Sequence, residues 1–151
     1  MKMGQPDYNE LHTHHFHEIA VGMEASQNYV ITPAVYEHFL AAFHDASPVH
    51  VDETFAKSLG FSGKVMHGSL LNGFVSHFVG MRFPGRFSLL LSADLRYLQP
   101  SYLGDTIHLE AVVSQKMEAR NIIVLDATLA NTTRGHLAAR GRLQIMLKEG
   151  A

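Results

Sequence analysis

Apolar and polar residues alternate along this chain with two different periods, and the change of period divides it. Between residues 33 and 81 the apolar spacing is helical; beyond Pro84-Gly85 it becomes two. "NYVITPAVYEHFLAAFHD" opens as a strand and continues as a helix. Thr32 suits the N-cap, and Pro33 suits the first helical position, where a missing N–H is harmless. Val35, Phe39, Leu40 and Phe43 recur on one face, and Pro48 should end the helix by about Ser47, because the residue before a proline avoids the helical region. Asp52 can cap a second, short helix over "ETFAKSL", with Gly60 as its stop. In "HGSLLNGFVSHFVGM", Leu70, Leu71, Phe74, Val75, Phe78 and Val79 leave little polar face. This helix belongs in the centre of the domain, held by packing because Gly68 and Gly73 lower its own propensity.

Four long strands follow: "FSLLLSADLRYLQP", "DTIHLEAVVSQKM", "NIIVLDATLAN" and "HLAARGRLQIML". Their connections are short, so an antiparallel meander is the default pairing. A curved sheet around the apolar helix would bury it, which gives a layered α+β fold. Residues 1–16, with His12, His14 and His15 and with His17 just beyond, read as an exposed, flexible histidine-rich arm; no carboxylate or cysteine partner has metal-ligand spacing.

Composition narrows the function. The chain has 151 residues, 46% hydrophobic and 17% charged, as expected of one globular domain. A formal charge of −2 argues against a nucleic-acid surface. No apolar run is long enough to span a bilayer, and the first residues lack the apolar centre of a secretory signal, so a cytoplasmic location is expected. With no cysteine, disulfide and thiolate chemistry are excluded. Seven Met and nine Phe fit an adaptable apolar core or pocket.

The chemistry concentrates in residues 43–76, "FHDASPVHVDETFAKSLGFSGKVMHGSLLNGFVS". On an unbroken helix Asp45 and His50 would point about 140° apart. A break at Pro48 lets both face one space, where a carboxylate and an imidazole can hold and activate a water. The same residues could instead close a turn. Gly68 opens the apolar helix, whose first N–H groups lack internal partners and carry partial positive charge. Without a side chain there, a carbonyl oxygen can approach them; the alternative is a helix that merely starts at Gly68. Ser76 could turn its hydroxyl to the site or bond back to the carbonyl of Asn72. No metal motif such as H-E-x-x-H is present.

The segment "DASPVHVDETFAKSLGFSGKVMHGSLLNGFVS" resembles the hydratase-2 motif of the MaoC-like dehydratases, the R-specific enoyl-CoA hydratases. Asp45, Pro48, His50, Asp52, Ala56, Gly60-Phe61, Val65 and His67-Gly68 match it, and "YLQPSYLGDTI" resembles the family's later strand and turn. The resemblance covers about residues 27–147. It implies a hotdog fold over residues 17–151, a homodimer or higher homo-oligomer, and reversible addition of water to a trans-2-enoyl thioester of coenzyme A. It implies catalytic roles for Asp45 and His50 on the water, for the Gly68 N–H on the thioester carbonyl and for Ser76 as support, with Ser47 and His67 against the substrate. No metal or redox cofactor is implied, and coenzyme A is part of the substrate. Arg82, Arg86 or Lys64 would meet its phosphates. Ser47 departs from the family's asparagine; its shorter reach bears on rate and substrate preference. Two other functions share the scaffold: a dehydratase for carrier-protein or branched acyl thioesters, and a non-catalytic thioester-binding protein. An intact Asp45/His50 pair counts against the last.

Overall fold

A computed structural model describes residues 8–150. The first strand, β1, spans Glu24–Val30, and the helix α1, Pro33–Phe43, follows at once. Thr32 Oγ1 accepts from Val35 N at 3.1 Å, and Pro33 takes the first position. The helix stops at Phe43, before Pro48 would force it to, because His44 turns left-handed at φ 57° with its N–H on Leu40 O at 2.8 Å. Pro48 does more than end a helix: it begins a short one, α2, Pro48–Val51, which the sequence pattern did not reveal. α3, Glu53–Ser58, starts on Asp52, whose Oδ1 accepts from Phe55 N at 3.0 Å, and Gly60 ends it at φ 91°.

The apolar helix α4 runs Gly68–His77 and continues as one wide turn over Phe78–Arg82. Leu70, Leu71, Phe74, Val75, Phe78 and Val79 are buried as expected. Its covering is incomplete, however: Ser69, Gly73 and Ser76 form an exposed stripe beside the half-buried Asn72.

The sheet consists of β1, β2 (Ser88–Tyr97), β3 (Thr106–Met117), β4 (Ile122–Asn131) and β5 (His136–Leu147), in the order β1-β3-β4-β5-β2 and antiparallel throughout. β3, β4 and β5 form the expected meander, but β2 pairs with β5 and not with its successor β3. The connection between β2 and β3 carries Pro100, which has no N–H to give a ladder. Its other backbone groups bond elsewhere: Leu98 N to Ala138 O at 2.8 Å, and Ser101 O from Met66 N at 2.9 Å. Buried Asp105 fixes its far end, accepting from Tyr102 N at 2.9 Å, Asn131 Nδ2 at 2.7 Å and Arg134 Nε at 2.7 Å. The loop is thus a strap across the end of the sheet. Register shifts at Leu90/Ser92, Val113/Gln115 and Leu129/Ala130 bend the sheet around α4. Ile107, Leu109, Val113, Leu125, Leu143 and Ile145 are buried in the core that covers it. A curved antiparallel sheet around one central helix is the hotdog fold.

Residues 1–7 of the expected arm lie outside the described residues. From residue 8 the chain is fastened, which corrects the reading of a loose arm to residue 16. His12 N bonds to Met81 O at 2.8 Å, and His14 N to Pro84 O at 3.2 Å. His77 Nε2–H donates to Tyr8 O at 2.9 Å, while its Nδ1 accepts from Tyr29 OH at 2.8 Å. Gly85 admits no other residue: its φ is 86°, and a Cβ would lie 2.1 Å from His12 O. At the far end of the chain, the His15 imidazole bonds to Glu149, and Phe16 N donates to the same carboxylate at 3.3 Å.

The His15 bond is the main cause that holds the Glu149 carboxyl below its ordinary value. A carboxyl depressed by folding stabilises the fold above its unfolded value and ceases to do so as pH falls through its folded one. Chemical denaturation of wild type and Glu149→Gln should therefore differ at neutral pH and converge in acid. A difference that stays constant from neutral to acid pH removes Glu149 from the acid response.

Candidate active site

The left-handed His44 ends α1 and throws Asp45 back towards the start of α4. Asp45 Oδ1 accepts from Ser47 N at 3.3 Å, and Ser47 O accepts from His50 N at 2.8 Å, so α2 is wound onto the acid. Buried Tyr36 holds it from α1, its hydroxyl donating to His50 O at 2.8 Å. His50 Nδ1 lies 2.7 Å from Val65 O. A carbonyl only accepts, so Nδ1 carries the proton and Nε2 presents its lone pair. That Nε2 is 3.8 Å from Asp45 Oδ2. The gap is too wide for a direct hydrogen bond, yet one water about 2.8 Å from each atom closes the triangle. The Asp45 side chain is 55% exposed and that of His50 only 17%, so the acid stands at the open side and the base at the inner side.

His67 caps α4 and is 3% exposed. Its Nε2–H donates to Asp45 O at 2.7 Å, and its ring lies against that of His50, centroids 4.0 Å apart. Phe39 packs on the same imidazole at 4.8 Å. His67 therefore touches both members of the dyad, through the backbone of one and the ring of the other. A supporting bond to Asp45 O is thus added to the expected substrate contact, for which the ring remains placed as wall of both cavities described below. Nδ1 of His67 is buried without a partner.

Gly68 follows as the first residue of α4, with Tyr97 across from it: a Cβ on Gly68 would lie 3.2 Å from the tyrosine ring. Two cavities meet here. The inner, about 320 Å³, and the outer, about 770 Å³, share His50, His67, Gly68 and Tyr97, and Asp45 borders only the outer.

The structure thus brings together Asp45, His50, His67 and Gly68. Ser47 contributes its backbone; its exposed side chain makes no capping bond and lines neither cavity. Ser76 is exposed two turns further along α4 and also lines neither. Arg82 and Arg86 are engaged by the N-terminal segment, Arg82 on His12 Nε2 at 2.7 Å and Arg86 on Thr13 Oγ1 at 3.1 Å. Lys64 lies over the Tyr36 ring, 5.0 Å from its centroid, on the loop that leads to His67. Asp45, His50 and His67 are also the group of potential ligating side chains, among the described residues, whose atoms lie within 4.8 Å of one another. A cation there would take the His50 lone pair and so compete with its use as a base. The sequence pattern gave no sign of Tyr36, Tyr97 or the Val65 carbonyl as parts of the site. Two are aromatic residues within regular elements, and the third is a backbone atom.

The sequence model of the MaoC like domain family matches residues 16–134. An (R)-specific enoyl-CoA hydratase of Rhodospirillum rubrum is 27% identical over 139 residues, covering 92% of this chain and 95% of the relative. One of Aeromonas caviae is 30% identical over 129 residues, covering 85% and 96%. The unliganded R-hydratase of Pseudomonas aeruginosa superposes with a TM-score of 0.81 at 27% identity, covering 89% of this chain and 86% of that one.

His67→Phe keeps an aromatic wall but loses the bond to Asp45 O. It should lower kcat about 10- to 100-fold, leave KM nearly unchanged and shift the pH–rate profile. His67→Gln, whose amide can donate in the same place, should recover part of the loss. Equal loss in both folded variants with an unshifted profile would make His67 a packing residue only.

Proposed function

This chain belongs to the MaoC-like domain family, and from that membership we propose that it is an R-specific enoyl-CoA hydratase, a hydro-lyase that reversibly adds water to a trans-2-enoyl thioester of coenzyme A. The observation that carries this reading is the 3.8 Å gap between a lone-pair Nε2 on His50 and Asp45 Oδ2, set beside the start of α4. The thioester carbonyl faces the Gly68 N–H, which draws electron density from the conjugated double bond. Water in the gap gives a proton to His50 Nε2 as its oxygen bonds to C3. The displaced electron pair gathers on the thioester oxygen, where one aimed N–H is worth about 3–4 kcal/mol to the transition state. C2 then takes a proton from the dyad. One hydrogen and one hydroxyl have been added, no electrons leave, and no cofactor is called for. In the reverse direction a 3-hydroxyacyl thioester is dehydrated. Acyl-CoA and this chain would meet in the cytoplasm, and among the described residues no helix is long and apolar enough to cross a membrane.

A homodimer completes the reading. β2 is a sheet edge with Leu89 and Leu91 exposed at 53% and 44%, and α4 leaves its Ser69–Ser76 stripe uncovered. Edge strands this apolar are usually paired or covered, and two copies joined along β2 would make one continuous sheet.

Crotonyl-CoA hydration, followed by loss of the enoyl-thioester absorbance in chelator-treated buffer, should proceed in wild type. It should fall by about 10² to 10⁴ in both Asp45→Ala and His50→Ala. A folded wild type inactive on short, long and branched enoyl thioesters would reject the hydratase. Light scattering should give twice the chain mass for wild type, and Leu91→Arg should shift it towards the monomer. A monomeric wild type would reject the β2 pairing.

A further inference from the structure

The two imidazoles of the site are held in the manner of metal-binding histidines. A ligating histidine gives its other ring N–H to a backbone carbonyl or a carboxylate, which fixes both tautomer and ring. His50 gives Nδ1–H to Val65 O, and His67 gives Nε2–H to Asp45 O, each at 2.7 Å. A lone pair is left on Nε2 of the first and on Nδ1 of the second. Asp45 Oδ2, 3.8 Å from His50 Nε2, adds a carboxylate oxygen. Nδ1 of His67 is buried with no donor to meet it. A buried nitrogen in that state is a standing cost, which a bound cation removes.

We propose that Asp45, His50 and His67 form a binding site for one Zn²⁺, and that the ion shuts off the reaction while it is held there. The inhibition rests on the hydratase reading; the binding does not. One ligating atom from each of the three lies within 4.8 Å of the other two. A tetrahedral Zn²⁺ holds such atoms about 2.0–2.1 Å away and so about 3.4 Å apart, and a movement of about 1 to 1.5 Å closes the set. Asp45 can supply it, since its side chain is exposed on a turn while both imidazoles are tied down. Two nitrogens and one carboxylate oxygen suit Zn²⁺, whereas Mg²⁺ and Ca²⁺ want six or more oxygens. The chain has no cysteine to draw the ion elsewhere. All three ligands, and the bonds that orient them, belong to one chain, so a second copy paired along β2 need add nothing. Inhibition follows from the electron pairs. Zn²⁺ would hold the Nε2 lone pair that otherwise takes the proton from water, and it would stand in the gap where that water sits.

Zinc binding is read directly, by competition with a chromophoric chelator on protein first stripped of metal. Wild type should bind Zn²⁺, and His50→Ala, Asp45→Ala and His67→Gln should each weaken the tightest site about tenfold or more. His67→Gln is the sharper variant, because its amide can still donate to Asp45 O but brings no imidazole lone pair. His17→Gln, in the histidine-rich segment, should leave the affinity unchanged. Wild-type affinity in folded His50→Ala and His67→Gln overturns the proposal, as does loss of the tightest site in His17→Gln; if His67→Gln does not fold, His67→Phe carries the same comparison. In crotonyl-CoA hydration, Zn²⁺ should inhibit wild type, excess chelator should restore the rate, and Mg²⁺ at the same concentration should do nothing. The Zn²⁺ concentration for half inhibition should rise about tenfold in His67→Gln. Zn²⁺ that binds through these residues yet leaves the rate unchanged, or raises it, overturns the inhibition. A wild type inactive on every enoyl thioester that still binds Zn²⁺ through the three residues keeps the metal site and rejects the hydratase. An active wild type whose zinc affinity is indifferent to them rejects the metal site alone.

Discussion

The constraint on which the rest depends is the central helix. α4 carries large apolar residues on most of its circumference, each worth about 1.5–3 kcal/mol when taken out of water, and it must be wrapped. Its first N–H groups must at the same time face open space if they are to meet an oxygen. The sheet answers the first demand by bending at its register shifts until β1 and β2 flank the helix. The second is met because α1, α2 and the strap between β2 and β3 close over the helix start without filling it. The strap is central to this. By bonding Ser101 O to Met66 N it places the neighbouring Val65 carbonyl, and that carbonyl sets the His50 proton.

The acid and the base are then held by different means. Asp45 sits on a turn left exposed by the end of α1, and its backbone, not its carboxylate, is gripped by His67. His50 is held more deeply, by Val65 through its ring and by Tyr36 through its carbonyl. Such an arrangement keeps the imidazole directed while the carboxylate stays open to solvent, as a pair that shares one water requires.

Periodicity revealed α1, α3, α4 and the four long strands, because each buries one face or nearly all of its surface, and the caps at Thr32 and Asp52 marked two helix starts. It did not reveal the order of the sheet. Chain proximity favours β2 beside β3, and only the tertiary bonds of the strap, to segments far away in sequence, set β2 beside β5. α2 was hidden because four residues carry no period. In the site, Asp45, His50 and Gly68 were legible as a motif, since charge and missing side chains are visible in a string. The supporting bond of His67 was not legible: an imidazole looks the same whether its nitrogen faces a ligand or the Asp45 carbonyl. Tyr97 was invisible for a similar reason, as one aromatic in a strand that favours aromatics.

Both imidazoles of the site take their orientation from main-chain oxygens, His50 from residue 65 and His67 from residue 45. The backbone offers a carbonyl at every position, whatever side chain it bears. The proton inventory of the site is therefore insulated from drift at residue 65: another apolar residue there would leave the same tautomer on His50, so long as the strap keeps the strand in place. Heredity of the chemistry thus passes through the path of the chain as much as through the letters at the site, and distant relatives can share a working protonation state while sharing few of the residues around it.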